Sequence, residues 1–287
     1  MKKLLLVVVI GLFLGVPVLA QEASETQVNL ELIWSGSTTV RDQVIHLGDR
    51  FPLPATTIVV KQPIDGGHRF LLLLDPFGHQ PLIKGQLELR DRDTTWTLGQ
   101  QAPPFGAALA QYPYVFDTTS RPPLYADVPL RNPGISVAQK VGDELTFKAG
   151  IFADALAIGG PKYTGGGYGV ARLEWQPAGG VTLGASQRLS REPATGADLT
   201  VRLDALELKA EWVDSKLGSR HFEQLRLPVT RHADGAWQDS LALRVDNLPT
   251  SSELILGWRH DFSKEEILLL DYNTKTGATT LQFRLKI

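Results

Sequence analysis

Cysteine is absent from the 287 residues, so neither a disulfide framework nor a thiolate metal site can form. A basic surplus is missing too. The 29 Lys and Arg against 31 Asp and Glu leave a formal charge of −2, whereas a face built for phosphates needs a clear cationic excess. Nucleic acid is therefore not an expected partner. Long apolar runs are lacking beyond the N-terminus. No later stretch approaches ~18 apolar residues, the least that reads as a spanning helix, and the leucine block at residues 71–74 is bracketed by Arg69 and Asp75. If the mature chain meets a membrane, it must do so as a closed barrel, because hydrocarbon cannot satisfy an open sheet edge. Enzyme signatures are missing as well: no His-Glu-x-x-His, no Walker loop and no Gly-x-Ser-x-Gly elbow. Gly134-Ile135-Ser136-Val137-Ala138 comes nearest, inside an alternating segment, and the six histidines (His46, His68, His79, His221, His232, His260) are scattered. No enzyme activity, cofactor or metal is expected.

What the N-terminus does hold is an export signal. Lys2 and Lys3 precede an apolar run over residues 4–16, and Val18-Leu19-Ala20 offers small residues before a cut at Gln21. The alternative is a membrane anchor, but the run falls short of the ~20 residues a helix needs and contains Gly11 and Gly15, with Pro17 just beyond. The expected organisation is a leader over residues 1–20 and one β-domain over residues 21–287.

Alternation of apolar and polar residues at period two dominates the mature chain, the signature of a strand with one face of each kind. Leu281, Phe283, Leu285 and Ile287 oppose Gln282, Arg284 and Lys286. Leu206, Leu208, Ala210 and Trp212 oppose Glu207, Lys209 and Glu211, and comparable dyads centre on residues 145–151, 171–175, 181–188, 199–204 and 237–246. Gly142-Asp143, Pro177-Ala178-Gly179-Gly180, Asp204-Ala205, Asp234-Gly235 and Lys275-Thr276-Gly277 separate them with tight-turn chemistry. Long amphipathic helices between strands are absent, so the pattern predicts an antiparallel meander rather than a parallel sheet. A soluble sandwich alternates in the same way. Trp175, Trp212 and Trp237 near strand ends suit the aromatic girdles of a membrane barrel, and the chain stops on an apolar strand, Ile287 being its last residue. The fold class expected is therefore an all-β, antiparallel transmembrane barrel of about 12–16 strands.

Two segments resist the pattern. Residues 28–34 and 83–90 read as strands, but Phe51-Pro52-Leu53-Pro54 and Gln62-Pro63-Ile64-Asp65-Gly66-Gly67 interrupt it, leaving residues 36–66 open between short strands, a loop and an extension. Residues 101–133 hold seven prolines, Pro103, Pro104, Pro113, Pro122, Pro123, Pro129 and Pro133. Tyr112, Tyr114, Phe116 and Tyr125 lie among them, with Arg121 and Arg131. Such a stretch is too proline-rich to pair and too aromatic for a flexible linker. A loop folded inward to constrict a barrel is expected, with a domain linker as the competing possibility.

From Trp96 onward the order of pieces resembles the phosphate-selective porin O and P family of outer-membrane channels. Residues 97–106, ending in Pro104-Phe105-Gly106, are similar to that family's strand running into a "PFG" loop. Arg131-Asn132-Pro133-Gly134-Ile135-Ser136-Val137 resembles the return into the wall, and residues 145–152 and 171–186 resemble its hairpins. The likeness covers residues 94–215 and rests on wall and turn motifs. It implies a barrel of about sixteen strands, often trimeric, passing small anions across an outer membrane.

On that expectation the polar face lines a lumen. It would receive Lys84, Arg90, Lys140, Lys148, Arg172, Arg188, Arg202, Lys209, Arg226, Arg244, Arg259, Arg284 and Lys286. Against these thirteen stand eight acids: Glu31, Glu88, Glu174, Asp204, Glu207, Glu211, Asp246 and Asp271. The candidate pore-lining residues are Lys148, Arg172, Arg188, Arg202, Lys209, Arg244 and Arg284. The surplus leans towards anions in a narrow wet pore, and cross-strand ion pairing is the equally weighted alternative. The expected function is passive diffusion of small hydrophilic solutes through an outer-membrane, lipid-embedded barrel, with a homotrimer as one assembly. A soluble periplasmic β-sandwich binding protein and a non-conducting structural barrel are the rivals.

Overall fold

A computed structural model of the chain describes residues 27–41, 44–47, 55–74, 82–107, 132–153, 166–204, 206–231, 237–263 and 266–286. The expected leader lies outside the described residues.

Seventeen strands account for nearly all of what is described. The first six are β1 (Gln27–Arg41), β2 (Val44–Leu47), β3 (Ala55–Ile64), β4 (His68–Leu74), β5 (Leu82–Asp91) and β6 (Thr94–Gln101). Then come β7 (Asn132–Val141), β8 (Leu145–Ala153), β9 (Gly167–Ala178), β10 (Val181–Leu189), β11 (Ala194–Leu203) and β12 (Leu206–Ser215). The series ends with β13 (Gly218–Arg231), β14 (Trp237–Leu248), β15 (Ser251–Asp261), β16 (Glu266–Asn273) and β17 (Ala278–Lys286).

From β3 to β17 every strand pairs antiparallel with the next. β17 then pairs with β1 over Glu31↔Lys286 to Thr39↔Ala278, and β1 pairs with β3 over Gln27↔Lys61 to Ile33↔Ala55. The ring is closed. β2 folds back on the far end of β1 through Arg41↔Val44. Since β17 already occupies one edge of Thr38 and Thr39, β2 takes the edge that β3 leaves. Closure removes the exposed edges that an open sheet would present.

The two ends of the barrel differ. At one end the connections are tight, as at Arg92-Asp93, residues 142–144 and Gly179-Gly180, and both Gln27 and Lys286 lie there. The other end carries the connections over residues 102–131 and 154–166, beside two-residue turns at Lys216-Leu217 and Pro249-Thr250.

Register decides which side chains face in. Arg172 on β9 stands opposite Lys148 on β8 and Ser186 on β10, and Gly184 on β10 stands opposite Asp198 on β11. Those positions point inward, and Arg172, Ser186, Arg188, Asp198, Glu211, Arg244 and Asp246 are buried. Their neighbours point outward and are apolar: Phe147, Ile151, Leu173, Trp175, Leu183, Leu241 and Leu243 are exposed. Ile151 is 69% exposed while Arg172 is 3%. A soluble sandwich has the opposite polarity, with its apolar faces packed inward. On the outer wall Trp96 and Trp175 sit towards the tight-turn end and Trp212 towards the other, at the levels of two aromatic girdles. The side chain of Trp237 lies outside the described residues.

Three sequence expectations change. Gln62, Pro63 and Ile64 do not break the pattern: they complete β3, and only residues 65–67 turn. Pro63 pairs with Arg69 one step from the end of the hairpin, where a missing N–H removes at most a single ladder bond. The leucine block, assigned to no element by alternation, makes up most of β4, which pairs with β3 and β5. Finally, Gln101 closes β6 and Asn132-Pro133 open β7, so the two ends of the expected 101–133 loop belong to the wall strands.

Candidate functional site

The interior begins from strand alternation: each wall strand offers its polar residues to the inside, and neighbouring strands bring them within ion-pair range. Arg172 and Asp198 are two strands apart, yet they pair directly, Arg172 Nη2 donating to Asp198 Oδ1 at 2.9 Å with a second contact between Nη1 and Oδ2. Gly184 of β10 stands opposite Asp198 on one side and Glu174 on the other, and a Cβ there would collide with the Asp198 carboxylate and the Arg172 guanidinium. A glycine at this inward position opens the gap through which the pair forms.

Arg172 also donates from Nη1 to Ser186 Oγ at 3.1 Å, and Ser186 Oγ accepts the Gly106 N–H at 3.0 Å. Gly106 belongs to the connection leaving β6. Its neighbour Phe105 is 1% exposed and joins a cluster with Phe152, Tyr168, Val170, Ala194, Val213 and Phe222, all inward positions near the ends of β8, β9, β11, β12 and β13. Gly196 gives the Phe105 ring its seat, since a Cβ there would press on the ring at 3.1 Å. The described start of the connection, residues 102–107, therefore runs into the lumen and is fixed to the wall. Tyr112, Tyr114, Phe116, Arg121, Tyr125 and Arg131 lie outside the described residues.

Among the pore-lining candidates, Lys148, Arg172 and Arg202 are brought together around a cavity of ≈ 660 Å³. Pro103, Gly106 and Ala107 line the same cavity, as do Gln86 and Thr97 from β5 and β6. Lys148 Nζ stands 2.9 Å from Glu174 Oε2, which also lies 3.4 Å from Arg172 Nε. Arg202 Nε meets Glu207 Oε1 at 3.1 Å. The remaining candidates lie elsewhere. Lys209 approaches Glu207 at 3.2 Å, Arg188 donates from Nε to the Glu192 carbonyl at 3.0 Å, and Arg244 Nη2 meets Asp246 at 2.9 Å. Position 284 pairs in register with Ile33 and Ile267, and its side chain is outside the described residues. Lys148, Arg172 and Arg202 thus pair with carboxylates on other strands, whereas Lys209 and Arg244 meet carboxylates two residues away on their own strands.

Sequence reasoning missed Asp198, Arg69, Ser186 and Phe105. Asp198 was within reach, because it shares parity with Thr200 and Arg202 on β11. Arg69 was hidden with the rest of β4, and nothing local to Ser186 or Phe105 tells that a connection from β6 docks beside β10.

A closed antiparallel ring with a polar interior and an apolar exterior defines a porin-type transmembrane β-barrel. Solved structures share that fold. A Rhodopseudomonas blastica porin mutant matches with a TM-score of 0.62 at 10% identity over 92% of this chain and 100% of its own. A second mutant of the same porin reaches 0.63 at 10% identity with the same coverage. A loop-deletion mutant of OmpT, an outer membrane protein of Vibrio cholerae, gives 0.56 at 10% identity over 93% and 100% of the two chains. No protein-family model and no curated protein sequence matches. At this identity the likeness defines the fold alone.

Proposed function

We propose that the chain is a porin-like channel of the outer membrane, allowing passive diffusion of small hydrophilic solutes with a preference for anions. The observation that carries the proposal is the polar interior: a cavity of ≈ 660 Å³ rich in Arg and Lys, enclosed by a wall whose outer face is apolar. Lipid is the solvent that suits that exterior, and water and dissolved ions suit the interior. Kinship with the phosphate-selective porin O and P family, export through a leader cut after Ala20 and a homotrimeric assembly belong to the same reading. The fold shared with solved outer-membrane porins supports it.

Residues 102–131 act in this reading as the constriction. Support comes from the inward course of residues 102–107, held by Phe105 and by the Gly106–Ser186 hydrogen bond. Reconstituting the purified barrel in planar bilayers tests both parts. Excising residues 108–127 raises single-channel conductance and weakens selectivity if the segment narrows the pore. Unchanged conductance and selectivity would defeat the constriction, and a folded barrel that passes no current would be a structural protein instead.

A further inference from the structure

We infer that one residue, Lys84, sets the charge selectivity of the lumen, an inference that rests on the channel reading above. Six cations line the cavity: Arg69, Lys84, Arg90, Lys148, Arg172 and Arg202. Five of them are held by carboxylates. Arg69 donates to Glu88 from Nε at 2.5 Å and from Nη2 at 2.9 Å, and Arg90 stands 3.8 Å from the same group. Lys148 pairs with Glu174, Arg172 with Asp198 and Glu174, and Arg202 with Glu207. Lys84 makes no hydrogen bond or ion pair among the described residues.

Strand geometry explains why. The acid nearest to Lys84 along β5 is Glu88, four residues on, which attracts Lys84 electrostatically but makes neither a hydrogen bond nor an ion pair with it. Both Glu88 oxygens are already engaged, Oε1 by Arg69 and by Gln86 Nε2 at 2.7 Å, Oε2 by Arg69. In register Lys84 faces Leu73 of β4, which offers no charge.

The difference matters because a paired cation and its carboxylate present a dipole, whose field falls off faster than that of a lone charge. A passing ion in this cavity stays within about one screening length, ~8 Å at physiological salt, so an unpaired ammonium dominates the potential it meets. Low-dielectric walls strengthen that effect. A count of all inward cations overstates the anion preference and assigns it to the wrong residues.

The test measures reversal potential across a KCl gradient for the purified full-length barrel in planar bilayers. Lys84→Gln should lower the chloride-over-potassium permeability ratio by about threefold or more, and Lys84→Glu should invert it, with conductance changed less than about twofold. Lys84→Arg should keep the ratio. Arg202→Gln removes the same formal charge from a paired site and should shift the ratio less than Lys84→Gln does. An unaltered ratio in Lys84→Gln overturns the inference, as does an equal shift from Arg202→Gln or an unmodified channel with no preference for chloride. In each of those cases passive diffusion through the barrel survives, and in the last the anion preference falls together with the inference. A folded, unmodified protein that carries no current defeats both together.

Discussion

At the scale of single residues, the interior is organised by ion pairs whose partners sit on different strands. The Arg172 and Asp198 side chains are 4% and 1% exposed, so removing Asp198 strips the buried guanidinium of its two-point partner and leaves it a single carboxylate contact, Glu174 at 3.4 Å. Asp198→Ala should therefore destabilise the barrel by about 3–5 kcal/mol, read as a lowered urea midpoint followed by tryptophan fluorescence in lipid vesicles. A midpoint within error of the unmodified protein would mean that lumen water shields Arg172 after all. Gly184 tests the same pair from the opposite side. Gly184→Leu leaves both charges in place but fills the gap between them, so it should lower the midpoint in the same direction.

At the scale of the strand, the two faces have to answer differently to the same change. Leu208 of β12 and Leu243 of β14 belong to the outward series, and Leu243 is 42% exposed. An Arg at either position, facing hydrocarbon near mid-strand, should cost roughly 2–4 kcal/mol. Lys209→Arg, one residue along and facing inward, should leave the unfolding midpoint unchanged. Ala242 is a poorer control than alternation alone suggests: it faces inward but is only 6% exposed, so a larger side chain meets packed neighbours. Ready labelling of Leu208→Cys by a water-soluble thiol reagent would show that the outer face is not in lipid.

At the scale of the whole molecule, closure rests on β17. It pairs with β16 on one edge and with β1 on the other, so the first and last described strands meet. Deleting residues 278–287 would leave two unpaired edges in hydrocarbon, each orphaned backbone group costing several kcal/mol. The heat-modifiable folded band on a gel should vanish, and the chain should become protease-sensitive in membranes. A truncated chain that still inserts and resists protease would mean that β16 and β1 close the ring themselves.

Much of the wall was legible because strand alternation is a local, periodic signal. β8, β9, β12 and β17 follow from parity, and so do the inward positions of Lys148, Arg172 and Lys209. β4 was not legible, since its run of four leucines hides the alternation and only pairing with β3 and β5 makes it a strand. The sequence by itself determined the class: period-two patterning with tight turns and no spanning helix permits little besides an antiparallel sheet. Which face turns inward, that β17 closes on β1, and which cations keep a partner were decided only by the tertiary structure. Local patterning assigns residues to faces, but it carries nothing about which distant strands become neighbours. Arg172 and Asp198, or Gly106 and Ser186, meet only once the ring has set strand order and register, and that same arrangement leaves Lys84 without an ion pair among the described residues.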